Sequence, residues 1–133
     1  MSDALYRSGF EFDKRLDASL YVIYELNECY AVAIFENYVT SIDSKLTALE
    51  DAILNKDIAQ IDLLAHAHIS TYNYVGLSHI AGMMREIRHQ AKTDDWSHVK
   101  YLIEQARSQT ESMAPLMNQE LERLRLFAKS RDL

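Results

Sequence analysis

A chain of 133 residues with 48% hydrophobic and 26% charged residues is an ordinary globular balance for one domain. Only 3 glycines and 1 proline occur, too few turn residues for a sheet-rich or loop-rich fold, so the composition favours helices. The formal net charge is −6 and no basic tract is present, which argues against nucleic acid as a partner, and no apolar run approaches the length of a membrane span. The opening Met-Ser-Asp-Ala-Leu-Tyr-Arg has no signal-peptide pattern. The single cysteine, Cys29, rules out an intrachain disulfide framework and fits a reducing compartment, so a soluble cytoplasmic protein is expected. Cys29 itself reads as a small buried hydrophobe rather than a nucleophile.

Residues 1–19 are expected to be an N-terminal arm or short helix, with Phe10 and Phe12 packing against the remainder, 20–133, which forms the helical domain. Residues 20–55 read as helix. The early part is apolar nearly all round, with a break expected at 27–30. Phe35, Tyr38, Val39, Ile42, Leu46, Leu49 and Ile53 then recur at spacings of three and four, as on one buried face. Asn55-Lys56-Asp57 is a polar turn. Asp57 followed by Gln60 is a capping-box signature, so a new helix starts there. It ends near Gly76, where glycine can take the left-handed conformation that terminates a helix. Ser78 is the expected cap of the next helix, whose stripe is Ile80, Met83, Met84, Ile87 and Ala91. Asp94 or Asp95 caps the last helix. There Pro115 predicts a kink or break near Met113, with Ser112 as the cap of a new segment. Short connections place neighbouring helices antiparallel. The predicted fold is all-α: an up-down antiparallel four-helix bundle with the additional N-terminal helix or arm, and a monomer.

The helix from Asp57 to Gly76 carries the chemistry. At about 100° per residue its apolar stripe is Ile61, Leu64, Ala65, His68, Tyr72 and Val75. Asp62, His66, Ser70 and Asn73 fall on the opposite side. His68 and Gly76 are therefore structural positions, while His66 projects into solvent, where a histidine has little structural purpose. The two imidazoles point apart and cannot chelate one ion together. Glu86-Ile-Arg-His89 has the spacing of one half of a di-iron site, but a second pair and two more inward carboxylates are missing, so a solvated helix face is the simpler reading. There is no Gly-x-Ser-x-Gly and no Gly-rich phosphate loop, so neither a hydrolase elbow nor an ATP site of that kind is expected. The tyrosines read as core-edge residues rather than a base-stacking surface.

The run Leu64-Ala65-His66-Ala67-His68-Ile69-Ser70-Thr71-Tyr72-Asn73-Tyr74-Val75-Gly76-Leu77 resembles the signature of histidine-containing phosphotransfer (HPt) domains. The family pattern is Ala-His-x-Leu-Lys-Gly-Ser-Ser, then an apolar residue, Gly, and Ala or Leu. His66 aligns with the phosphorylated histidine and Val75-Gly76-Leu77 with the end of the motif. The likeness covers about residues 20–107. The sequence departs from the pattern where Ile69 replaces the lysine, Ser70 the glycine, His68 the leucine, and Thr71-Tyr72 the serine pair.

The resemblance implies a phosphorelay protein. His66 would accept a phosphoryl group from the aspartyl phosphate of a response-regulator receiver domain and pass it to another, with a hybrid histidine kinase upstream. The chain would bring no cofactor; Mg²⁺ would come with the receiver. Asp62, Ile69, Ser70 and Asn73 would form the partner-binding face. In that family the motif lysine neutralises the phosphoryl group and the glycine leaves room for the partner, so Ile69 removes a cation whereas Ser70 keeps the site small. Two other readings follow from the same residues: an HPt-like interaction module that binds a partner without carrying phosphate, and a metal-binding bundle.

Overall fold

The structure is a computed structural model, and it describes residues 10–24 and 27–131. Among these the chain is all-helical: α1 (Leu20–Ile23), α2 (Glu28–Leu54), α3 (Ile58–Asn73), α4 (Ser78–Lys92) and α5 (Trp96–Arg131), with no strand. The four longer helices pack as a ring of neighbours: α3 against α2 and α4, and α5 against α2 and α4. Phe35, Leu46, Leu49, Ile61, Tyr72, Ile80, Met84, Ile87, Val99 and Met117 fill the centre, each with no more than 1% of its surface exposed. No described helix is long and apolar enough to cross a membrane.

The helix ends follow local chemistry. Asn27 accepts the Tyr30 N–H at 3.1 Å, so the expected break at 27–30 is the capped start of α2. Asp57 accepts the Gln60 N–H at 3.2 Å and caps α3. Of the two aspartates before α5, Asp95 provides the cap, accepting the His98 N–H at 3.2 Å. Asp94 instead adopts a positive φ of 64° and accepts from the Trp96 indole. Lys56 is likewise left-handed, at 53°, and its ammonium lies 5.6 Å from the Trp96 ring, which joins the two turns at that end of the molecule.

Three expectations are corrected. Ser78 does not cap α4. The cap position is Leu77, fully buried, with no side-chain cap bond, and Ser78 is already the first residue of the helix. There is no break near Met113. Pro115 lies inside a continuous α5, on its exposed side, while Leu116, Met117, Leu121 and Leu124 stay buried beyond it. Burial of that face outweighs the single hydrogen bond the proline removes. Cys29 is exposed rather than buried, because in the first turn of α2 it is Ala31, not Cys29, that faces the core.

The described part of the arm, residues 10–19, is anchored at three points. Phe10 and Phe12 are 5% and 6% exposed and enter an aromatic cluster with Tyr21, Tyr24, Phe35 and Phe127. Glu120 of α5, itself buried, accepts the Asp13 N–H at 3.0 Å and pairs with Arg123. Gly76, with φ +79°, offers its carbonyl to the Asp17 N–H at 2.8 Å. A Cβ on Gly76 would stand 2.7 Å from Leu20 Cδ1 and 2.9 Å from Leu16 Cβ. Residues 1–9, part of the expected arm, lie outside the described residues.

Candidate functional site

The 16-residue helix α3 presents two unlike faces. Inward, Ile61, Ala65, His68 and Tyr72 are buried. The Tyr72 hydroxyl bonds to Thr110 Oγ1 at 2.8 Å, which accounts for the buried threonine on α5. His68 is 3% exposed, lies against the Tyr72 ring, and places Nε2 3.1 Å from the Lys45 carbonyl of α2. A carbonyl only accepts, so Nε2 carries the proton and Nδ1 keeps its lone pair. Burial holds this imidazole below its ordinary pKa of 6.5. His68 is a core residue in its neutral form.

Outward, Ala59, Leu63, His66 and Ser70 are all exposed and Asn73 is half-buried. At about 100° per residue these five share one stripe. Leu63, one turn before His66, is 63% exposed. The result is a low surface of small side chains carrying one imidazole and one apolar knob. On the α2 side of this stripe a groove of ≈ 290 Å³ runs between the helices, lined by Ser44, Lys45, Ala48, Leu64, Ala67 and Thr71, with His68 at its wall.

The α4 side is cationic. Arg85, Arg88, His89 and Lys92 fall on one face of α4. Arg88 donates from Nε to Asp62 Oδ1 at 3.0 Å, and its Nη1 lies 3.1 Å from His66 Nδ1. Lys92 Nζ reaches the same Asp62 oxygen at 3.1 Å. These two cations hold the Asp62 carboxyl below its ordinary range. In a chain of net charge −6 the imidazole of His66 thus sits beside a local cluster of positive charge.

The residues expected at the site fall into two groups. His66, Asp62, Ser70 and Asn73 share the outer part of α3. Ile69 does not stand out on it: the side chain is half-buried and packs against the core. Two further residues shape the site. Leu63 is detectable as an apolar residue in the otherwise polar or small stripe 59, 63, 66, 70. Arg88 carries no such local signal, because only the register of α4 against α3 brings it to His66. Among the described residues no three His, Cys, Asp or Glu side chains converge to hold a metal ion. Glu86 and His89 are both exposed on α4.

Comparison of the chain with protein-family models, with curated proteins and with solved structures gives no match.

Proposed function

We propose that the chain is a histidine phosphocarrier of a phosphorelay, with His66 as the phosphoacceptor. The observation that carries this reading is the setting of His66: an exposed imidazole in the middle of a capped helix, touched by a guanidinium from the neighbouring helix. An exposed nitrogen on a rigid helix is suited to in-line attack on a partner's phosphoryl group. Neutral imidazole is a competent nucleophile. Arg88 puts a cation beside the ring where Ile69 has removed the lysine of the HPt pattern. The chain's task would be to present the nitrogen, while the receiver contributes Mg²⁺ and the aspartyl phosphate. The finer architecture is part of the same proposal: α2 to α5 run up and down as an antiparallel four-helix bundle, supported by the short connections at 55–57, 74–77 and 93–95.

In the transfer step, Nε2 of His66 attacks the phosphorus from the tautomer that carries the ring proton on Nδ1, the P–O bond to the receiver's aspartate breaks, and the Nδ1 proton is then released to water. The electron pair leaves with the carboxylate. The docking face would be the stripe around Leu63, His66 and Ser70, bordered by Arg85 and Arg88, whose charge complements an acidic receiver site.

A second reading has its own observation. Leu63 is a large apolar side chain exposed next to His66, and the motif lysine is missing. Both suit an interaction module that docks a receiver without taking its phosphate. Incubation with phosphorylated receiver domains separates the two: a phosphate-sized mass gain on wild type but not on His66→Gln supports the carrier, whereas binding without mass gain supports the module.

A further inference from the structure

The contact between Arg88 and His66 has a chemical sense that bears on which ring nitrogen can react. This inference deepens the phosphocarrier reading and rests on it. A guanidinium has five N–H donors and no acceptor. With Arg88 Nη1 3.1 Å from His66 Nδ1, Nδ1 must be the acceptor and present its lone pair. The single proton of the neutral ring then sits on Nε2, the nitrogen that Arg88 leaves free. A protonated Nε2 has its electron pair in the ring's π system and cannot attack phosphorus. Arg88 is anchored at its other end. Its Nε is held by Asp62 at 3.0 Å, one helical turn before His66, and Asp62 is held in turn by Lys92.

We propose that Arg88 is a positioning residue that sets where the His66 proton resides. At rest it keeps the exposed nitrogen protonated and withholds it. Once His66 is phosphorylated, it stabilises the ring with phosphorus on Nε2 and an unprotonated Nδ1. Arg88 thereby makes His66 a slow acceptor and a durable store.

Arg88 withdraws Nη1 from Nδ1 while keeping its bond to Asp62. Water moves the ring proton from Nε2 to Nδ1. Nε2 attacks, the Nε2–P bond forms, and the P–O bond to the receiver's aspartate breaks with the pair going to the carboxylate. The ring is then cationic, and Nδ1 releases its proton to water. The Nδ1 lone pair returns to Arg88. Loss of the phosphoryl group, to water or to another receiver, is fastest when Nδ1 is protonated and imidazole leaves as a neutral group. A guanidinium donating to Nδ1 opposes that protonation by occupying the lone pair and by its charge.

Nitrogen NMR on the full chain labelled at histidine tests the resting half, with no partner needed. Wild type is expected to show an unprotonated Nδ1 and a protonated Nε2 at His66. Arg88→Ala should give a mixture of tautomers. Arg88→Gln, whose amide oxygen can accept from Nδ1–H, should move the mixture further toward a free Nε2 lone pair, and it keeps the test alive if the alanine variant does not fold. For the phosphorylated half, phosphoramidate serves as the donor. Both variants should take up phosphate faster, and Arg88→Ala should shorten the phosphohistidine lifetime by about fivefold, the size of one modest hydrogen bond. A protonated Nδ1 in wild type, or identical tautomers in wild type and Arg88→Ala, would overturn the proposal, as would a lifetime lengthened in Arg88→Ala. Label found on Nδ1 rather than Nε2 would also overturn it. The predicted tautomers with no phosphorylation of His66 by phosphoramidate or by receivers would uphold the resting half and overturn the storage half, together with the carrier reading.

Discussion

His66 and His68, two residues apart on α3, are in opposite situations. The first is exposed, with Nδ1 against Arg88; the second is 3% exposed, with Nε2 on the Lys45 carbonyl. The 100° step of the helix produces this separation, and it leaves one of two like side chains open to solvent while the other is packed in the core.

Substituting the two histidines should therefore give opposite results. His66→Gln is expected to leave the unfolding free energy within about 0.5 kcal/mol of wild type, as surface changes do. His68→Ala removes a buried ring from beside Tyr72 and should cost about 2–4 kcal/mol. Chemical denaturation of both variants checks this, and a stable His68→Ala protein would contradict the core assignment.

Stability should also fall in mild acid because of His68. Its folded pKa lies below the ordinary 6.5. The unfolded chain then binds the proton more readily, so the stabilisation is complete above pH 6.5 and is lost as pH falls below it toward the folded value. Asp62 acts in a separate, lower window: its folded pKa is depressed below 3.8, and its contribution is lost as pH falls through that folded value. Melting temperatures across this range should fall near and below pH 6.5 for wild type, and less so for His68→Gln.

Gly76 ties the arm to the turn between α3 and α4. Gly76→Ala must hold a non-glycine residue at φ +79° and place a methyl group 2.7 Å from Leu20 Cδ1. The backbone term alone costs about 1–2 kcal/mol. The melting temperature should drop, and trypsin should cut faster after Lys14 and Arg15 as the arm lifts. Unchanged cleavage would mean that the arm is held by Glu120 and the aromatic cluster alone.

Pro115 offers a change in the other direction. It is exposed inside a continuous α5, where proline costs about 3 kcal/mol against alanine. Pro115→Ala is expected to raise stability by roughly 1–3 kcal/mol and to leave the His66 site unaltered. A loss of stability would show that α5 depends on the proline.

What could be read from the sequence was local. The α3 stripe, the Asp57 and Gln60 cap, the Gly76 terminus and the seam from Phe35 to Ile53 each depend on residues within a turn or two of one another. Arg88 depends on how far α4 slides along α3, which no spacing within either helix encodes. Pro115 misleads for the same reason: its local preference for a break is outweighed by contacts of Leu116, Met117 and Leu121 that are distant in sequence. Cys29 is apolar enough to suggest burial, but its place in the first turn of α2 puts it outside.

His66 is proposed to carry phosphate. The most direct measurement is phosphoryl uptake by the purified chain from a panel of phosphorylated receiver domains, followed by peptide mapping under neutral and acidic conditions. The expected result is an acid-labile phosphate on the peptide containing His66, and none on His66→Gln of equal stability. No uptake from any receiver, by a folded wild-type chain that still binds one of them, would contradict it.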